Sequence, residues 1–301
     1  MDRYEKSLEA HRKWKGKIET ALKAPLTNRE ELGLAYTPGV ARACEVIRDH
    51  PQEVWELTGR GNLVAVISDG SAVLGLGDIG AEASLPVMEG KCALFKKFGG
   101  VNAVPVVIHS QDPEVIIETI KNISGSFGGI NLEDISAPRC VEIERRLIEE
   151  LDIPVFHDDQ HGTAIVVAAA LINAQKLVRK PFSSMKAVLS GAGAAGSSIL
   201  RMLQILGIKD IYAFDSHGIL RRDKADQYTS VKAEMASMSN PDSLELSLEE
   251  ALVGADIFIG VSVPRRVTKK EISSMSKDAI VFALANPEPE IHYQEAIEAG
   301  A

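Results

Sequence analysis

Four features of this 301-residue chain have residue types and spacings suited to chemistry. Gly191-Ala192-Gly193-Ala194-Ala195-Gly196 is a GxGxxG run. Glu133-Asp134 and Asp158-Asp159 are two acid pairs. Lys91 follows Gly90, and Tyr36 precedes the turn signal Thr37-Pro38-Gly39. A lysine or a tyrosine can move a proton.

The glycine run draws its meaning from context. A strand is predicted before it, a helix after it, and Asp215 closes the next strand 22 residues beyond Gly193. Gly191 would make the tight turn, and Gly193 would let backbone amides approach a pyrophosphate. Gly196 would let helix and strand pack closely, and the helix start at Ala194 and Ala195 would favour negative phosphates. The Asp215 carboxylate can accept two hydrogen bonds from an adenosine ribose. It would also repel a 2′-phosphate, which favours NAD; Arg221 and Arg222 keep NADP open. The competing reading is a glycine-rich turn without a ligand.

Each acid pair ends a predicted strand, where open α/β sheets place ligands. An oxygen-only set of carboxylates suits Mg²⁺ or Mn²⁺ rather than zinc. The alternatives are helix capping for Asp158 and Asp159 and a solvated turn for Glu133 and Asp134. His157 and His161 flank the second pair and are expected to be structural or solvent-facing. Lys91 becomes a base only where neighbours or burial lower its pKa, and nothing local distinguishes it from Lys96 and Lys97. Tyr36 reads equally as a partly buried aromatic whose hydroxyl caps a loop.

The elements that must position these residues follow from pattern. Helices are predicted over 2–23, 40–49, 51–57, 82–98, 112–123, 139–150 and 163–178, with 28–37 as loop. Strands are predicted over 63–68, 101–108, 130–134 and 154–156, the first apolar on both faces as in a parallel sheet. The second half alternates strands at 186–190, 210–215, 256–262 and 279–284 with helices. One helix spans 194–206, and capping boxes at Ser247–Glu250 and Thr268–Glu271 start two more. Residues 222–243 read as loop with weak helix. Repeated β-α-β units imply a doubly wound parallel sheet.

Composition bounds the rest. The length favours two domains, with the boundary on the connecting helix: 1–162, then 163–301. Hydrophobic residues at 45% and charged residues at 25% mark a globular chain. A net charge of −9 is a poor basis for gripping a phosphate backbone, so no nucleic-acid partner is expected. Cys44, Cys92 and Cys140 form no CxxC, which fits a reducing, cytoplasmic setting. The charged start is no signal peptide. The apolar run 163–174 is too short for a membrane span and reads as a buried helix.

With these residues in view, the chain resembles a malic enzyme of the short prokaryotic type, from about His11 onward. Ala35-Tyr36-Thr37-Pro38-Gly39-Val40, Ser68-Asp69-Gly70, Leu74-Gly75-Leu76-Gly77-Asp78-Ile79-Gly80 and Gly90-Lys91 carry the likeness. So do Phe127-Gly128-Gly129-Ile130-Asn131-Leu132-Glu133-Asp134, Phe156-His157-Asp158-Asp159-Gln160-His161-Gly162-Thr163, the glycine run, and Phe282-Ala283-Leu284-Ala285-Asn286-Pro287.

The resemblance implies an α/β substrate domain followed by a Rossmann domain. It implies oxidative decarboxylation of L-malate to pyruvate and CO₂ with NAD or NADP and Mg²⁺ or Mn²⁺, in a homodimer. Glu133, Asp134 and Asp159 match the family's metal ligands. Lys91 matches its general base, Tyr36 its general acid and Asp158 the acid that hydrogen-bonds the lysine. Asn286 matches a residue near substrate and nicotinamide. Ala72 stands where the larger eukaryotic branch has an arginine for the malate carboxylate. The family pattern continues past Ala301 with a second substrate-binding asparagine, so the second domain is expected to lack its last strand and helices. Two other readings stand beside this one: a dehydrogenase of the same plan without metal or decarboxylation, against which the paired acids argue, and a catalytically silent NAD-binding protein.

Overall fold

In a computed structural model, residues 2–73 and 75–301 are described; Met1 and Leu74, the latter opening a glycine-rich motif quoted above, lie outside them. The chain divides into two compact units. One comprises Met1–Val73, Asp78–Ile135 and Ile143–Phe156, the other Leu74–Gly77, Ser136–Glu142 and His157–Ala301. The fold is mixed α/β, with an N-terminal unit followed by a Rossmann-like one.

The first sheet is built from β1 (Leu63–Ser68), β2 (Asn102–Val107), β3 (Gly129–Leu132) and β4 (Val155–His157), in the order β2-β1-β3-β4. β1 pairs in parallel with β2 on one side and β3 on the other. Its residues Ala65, Val66 and Ile67 are completely buried, as expected of a strand covered on both faces. The chain leaves β1 for one neighbour and later returns to the other, so the ends of β1 and β3 form a switch point. The helix Ala81–Leu94 packs Met88 and Cys92 against Val66.

The second sheet contains β5 (Lys186–Ser190), β6 (Asp210–Asp215), β7 (Gly218–Ile219), β8 (Ile257–Gly260) and β9 (Ile280–Ala283), in the order β7-β6-β5-β8-β9. β5, β6, β8 and β9 run parallel, but the two-residue edge strand β7 is antiparallel to β6. The sheet is therefore not wholly parallel. Asp215 folds the chain back at this point, its Oδ1 accepting the amides of His217 at 2.7 Å and Gly218 at 3.1 Å. Phe214 and Phe258 are buried in the core of this unit, each contributing roughly 1.5–3 kcal/mol.

Several helices differ from expectation. The first ends at Trp14 rather than near residue 23, because Lys15 and Gly16 both take positive φ. The expected loop at 28–37 contains a helix, Arg29–Ala35, capped by the Asn28 side chain on the Glu31 amide at 2.9 Å. Thr27 and Glu31 reinforce that start, the Thr27 amide and hydroxyl donating to the carboxylate.

The connecting helix begins at Asp158, five residues earlier than predicted, and runs to Val178. At 21 residues, with an 18-residue window of mean hydropathy 1.3, it is long and apolar enough to cross a membrane by length and composition alone. It is buried along one stripe only, through Gln160, Ala164, Val167, Ala168 and Leu171. Val166 and Leu177 are exposed, so the reading of a buried helix holds for that stripe alone.

Candidate active site

In the first unit, β3 runs out into Glu133 and Asp134, both buried. The Glu133 amide donates to Ile67 O at 2.9 Å, and Asp134 O accepts the Ala72 amide at 2.9 Å, which fixes the pair beside the end of β1. Asp134 has φ 53°, a left-handed conformation uncommon outside glycine. Such conformations cluster where a side chain must be aimed. The loop after β1 is equally constrained. Asp69 Oδ1 accepts from the Ser71 amide and hydroxyl. Gly70, at φ 70°, lies so close to Gly80 that an added Cβ would sit 2.1 Å from its carbonyl oxygen.

Lys91 lies on the Ala81–Leu94 helix, and its Nζ is 2.9 Å from Glu133 Oε1. The lysine side chain retains 22% exposure and the glutamate 6%, whereas Lys96 and Lys97 are exposed. Asn131 Nδ2 donates to the other Glu133 oxygen at 2.8 Å. The structure thus draws one of three sequence-equivalent lysines onto a buried carboxylate. Cys92, its neighbour, is inert: burial first, then the charge of Glu89, pushes its thiol up to about 12.

Tyr36 closes the Arg29–Ala35 helix and is 68% exposed. Its ring is thus largely exposed rather than the partly buried aromatic of the alternative reading. A cavity of about 510 Å³ in this unit is lined by Ile18–Lys23, Leu63, Cys92, Lys96 and Asn102–Val104; no predicted site residue lines it.

In the second unit, Asp158 and Asp159 occupy the first turn of the connecting helix, where carboxylates are favoured by the helix dipole. The N-cap is His157, which is fully buried. The aspartates are therefore not its caps. Gly162 makes room for one of them, since a Cβ there would lie 2.6 Å from Asp158 Oδ1.

The glycine run joins β5 to the helix Ala194–Ile205. Gly191 has φ 124°, and a Cβ there would lie 2.6 Å from Val261 O; one on Gly196 would lie 1.9 Å from Gly191 O. Gly193 faces nothing within 4 Å. The first and third glycines serve internal packing, and the second leaves open space for a ligand to approach. These are the steric roles expected of a dinucleotide turn.

Asp215 is more engaged than the sequence suggests. Besides the two turn amides on Oδ1, its Oδ2 accepts Lys232 Nζ at 2.6 Å. A carboxylate offers about four acceptor positions, so three are taken and one remains for a ribose hydroxyl. Burial works to raise the Asp215 pKa, but Lys232 and the His217 amide outweigh it and hold it below the ordinary value. Sequence reasoning missed Lys232, 17 residues downstream on the helix Ser230–Met238. Arg221 is committed to Asp223 and Glu245. Asn286 is exposed just beyond β9, in a loop that begins at Leu284.

Comparison with known proteins completes the picture. Residues 15–148 match the family model for the malic enzyme N-terminal domain, and residues 160–299 that for the malic enzyme NAD-binding domain. The chain is 50% identical over 301 residues to the bifunctional malic/malolactic enzyme of Bacillus subtilis, covering 73% of it. It is 53% identical over 276 residues to the NAD-dependent malic enzyme of Geobacillus stearothermophilus, spanning 92% of this chain and 58% of that one. Against the NADP-dependent malic enzyme of Escherichia coli, at 45% identity, the match spans 36% of the relative. The crystal structure of an NAD-dependent malic enzyme from Thermotoga maritima superposes with a TM-score of 0.94 at 49% identity, covering 100% of this chain and 79% of that one.

Proposed function

The chain belongs to the malic enzyme family, and from that premise we propose that it converts L-malate to pyruvate and CO₂ while reducing a nicotinamide dinucleotide. The observation that carries this reading is the Lys91–Glu133 pair at the switch point of the first sheet. It places a proton-transfer group where an α/β sheet receives its ligand, and the lysine would be able to accept a proton once the Glu133 carboxylate is engaged by the cation instead.

Glu133, Asp134 and Asp159 would hold a divalent cation. Their donor atoms are all carboxylate oxygens, which fit Mg²⁺ or Mn²⁺; bound there, the ion supplies positive charge to stabilise the enolate left by decarboxylation. Lys91 Nζ takes the proton of the malate C2 hydroxyl as hydride leaves C2 for the nicotinamide. Asp158 orients the lysine. Tyr36 returns a proton to C3 once CO₂ has departed. Asn286 lies beside substrate and nicotinamide.

Gly191, Gly193, Ala194, Ala195 and Gly196 receive the pyrophosphate, and Asp215 the adenosine ribose. NAD is the preferred cofactor through Asp215. NADP is also accepted, because Lys232 offers a counter-charge to a 2′-phosphate. Residues 1–162 form the substrate and metal domain and 163–301 the dinucleotide domain. The working form is a homodimer: among the described residues none before Ala65 is buried, and Tyr4, Leu32 and Leu34 stand exposed there, a face suited to a second copy. Three free cysteines fit the cytoplasm.

The test is reduction of NAD by L-malate in the presence of Mn²⁺, with the Lys91→Ala and Asp159→Ala variants alongside. Both variants are expected to lose turnover. Unchanged turnover in either one overturns the role given to that residue.

A further inference from the structure

Glu290 is completely buried, and among the described residues no lysine or arginine pairs with it. Its carboxylate is held by groups at the ends of two strands instead. Oε1 accepts the Ser262 amide at 2.8 Å, two residues past β8, and Oε2 accepts the Ala285 amide at 3.0 Å, two residues past β9. The Ser262 hydroxyl also reaches Oε1 at 3.4 Å, and the Ser190 hydroxyl, on the last residue of β5, lies 3.0 Å from the Ser262 hydroxyl. One carboxylate therefore joins the ends of β5, β8 and β9.

Two other features make room for it. Gly260 has no side chain where a Cβ would lie 2.3 Å from Glu290 Cδ. The Glu290 carbonyl accepts the Val267 amide at 3.3 Å, and the neighbouring Pro289 carbonyl accepts the Arg265 amide at 3.1 Å. The segments 262–267 and 285–290 are thus tied together at both their main chain and this side chain.

We infer that Glu290 is a positioning residue of the dinucleotide site, fixing the loop that carries Asn286 and the turn at Ser262 relative to the Ser190–Gly191 step. This rests on the reading that the nicotinamide end of the cofactor lies over β8 and β9. The carboxylate is the group the geometry requires. Both oxygens face N–H donors, so an amide at this position must turn its NH₂ against one of them and leave that amide without an acceptor. Asp215 lies at the far side of β5, on β6, so the adenosine end is untouched by Glu290.

The experiment compares binding of NAD and of ADP to the 301-residue chain by calorimetry, in wild type, Glu290→Gln and Ser262→Ala. Glu290→Gln is expected to weaken NAD at least tenfold while changing ADP less than twofold. Ser262→Ala, which loses the hydroxyl link to Ser190 but keeps the backbone amide, is expected to weaken NAD about threefold, again sparing ADP. Equal loss for NAD and ADP marks a merely structural role and overturns the inference, as does unchanged NAD binding in a folded Glu290→Gln. Should Glu290→Gln not fold, the NAD-to-ADP contrast in Ser262→Ala decides by the same criterion. Wild type that binds ADP but shows no added affinity for NAD sinks the underlying placement of the nicotinamide instead, a separable outcome.

Discussion

Two lysine–aspartate pairs sit at opposite ends of the second sheet. Lys232 holds Asp215 at 2.6 Å, at the C-terminal end of β6; Lys180 holds Asp256 at 2.8 Å, just before β8 begins. Both carboxyls are held below their ordinary value: in each, burial works upward and is outweighed by the lysine and by backbone or hydroxyl donors. Their chemistry is alike, yet their settings differ. Asp256 also accepts the Ser276 hydroxyl at 2.6 Å and the Lys186 amide at 3.0 Å, and Lys180 donates to Ser276 and to the Lys277 carbonyl. That network closes on itself. Asp215 keeps an acceptor position and lies beside the glycine turn's strand. A salt bridge is therefore read by which end of the parallel strands it occupies. The Lys91–Glu133 pair of the first sheet lies at a C-terminal end and belongs with Asp215.

The comparison breaks most sharply on lysine. Lys91→Ala should lower malate turnover about 10³-fold, within the range for general acid–base groups, besides leaving the buried Glu133 without its lysine. Lys180→Ala should spare turnover. It leaves kcat within about twofold, but strands a partly buried aspartate and costs about 2 kcal/mol; calorimetric melting checks both. Equal effects of the two substitutions on turnover would remove the distinction between strand ends.

Smaller changes refine it. Asp215→Asn should weaken NAD about tenfold in a binding titration, equivalent to about 1.4 kcal/mol. Lys232→Ala should then lower kcat/KM for NADP about fivefold more than for NAD, through loss of a charge-assisted hydrogen bond to phosphate. The smallest effect is on pH dependence. Because the folded Asp256 carboxyl is held below its ordinary 3.8, its contribution to stability is present above that value and lost as pH falls through the folded pKa. Asp256→Asn should flatten the fall in unfolding free energy below about pH 4, measured by urea titration at successive pH values.

Much of this was legible in the sequence. β1, β5 and β6 occupy the predicted residues, as do the helices Val40–Asp49 and Arg139–Glu150, because each is a run of uniform period. Both capping boxes form as read. The misses have local causes. The Arg29–Ala35 helix is short and ends on a Pro-Gly turn, which hides its Asn28 cap. The connecting helix starts on two aspartates that resemble capping residues. In the site, strand ends and glycines could be read from order and spacing. Which lysine meets Glu133, which meets Asp215, and that Glu290 joins three strands could not. Those pairings span 42, 17 and up to 100 residues, and are set by the sheets rather than by neighbours in the chain.

The central claim is that strand-end groups of this chain carry out oxidative decarboxylation. It is tested most directly by measuring CO₂ and NADH together, from L-malate and NAD with Mn²⁺. The account predicts the two products in equal amounts, both abolished by chelator and both restored by added Mn²⁺. NADH formed without CO₂, or product formation indifferent to the chelator, would contradict it.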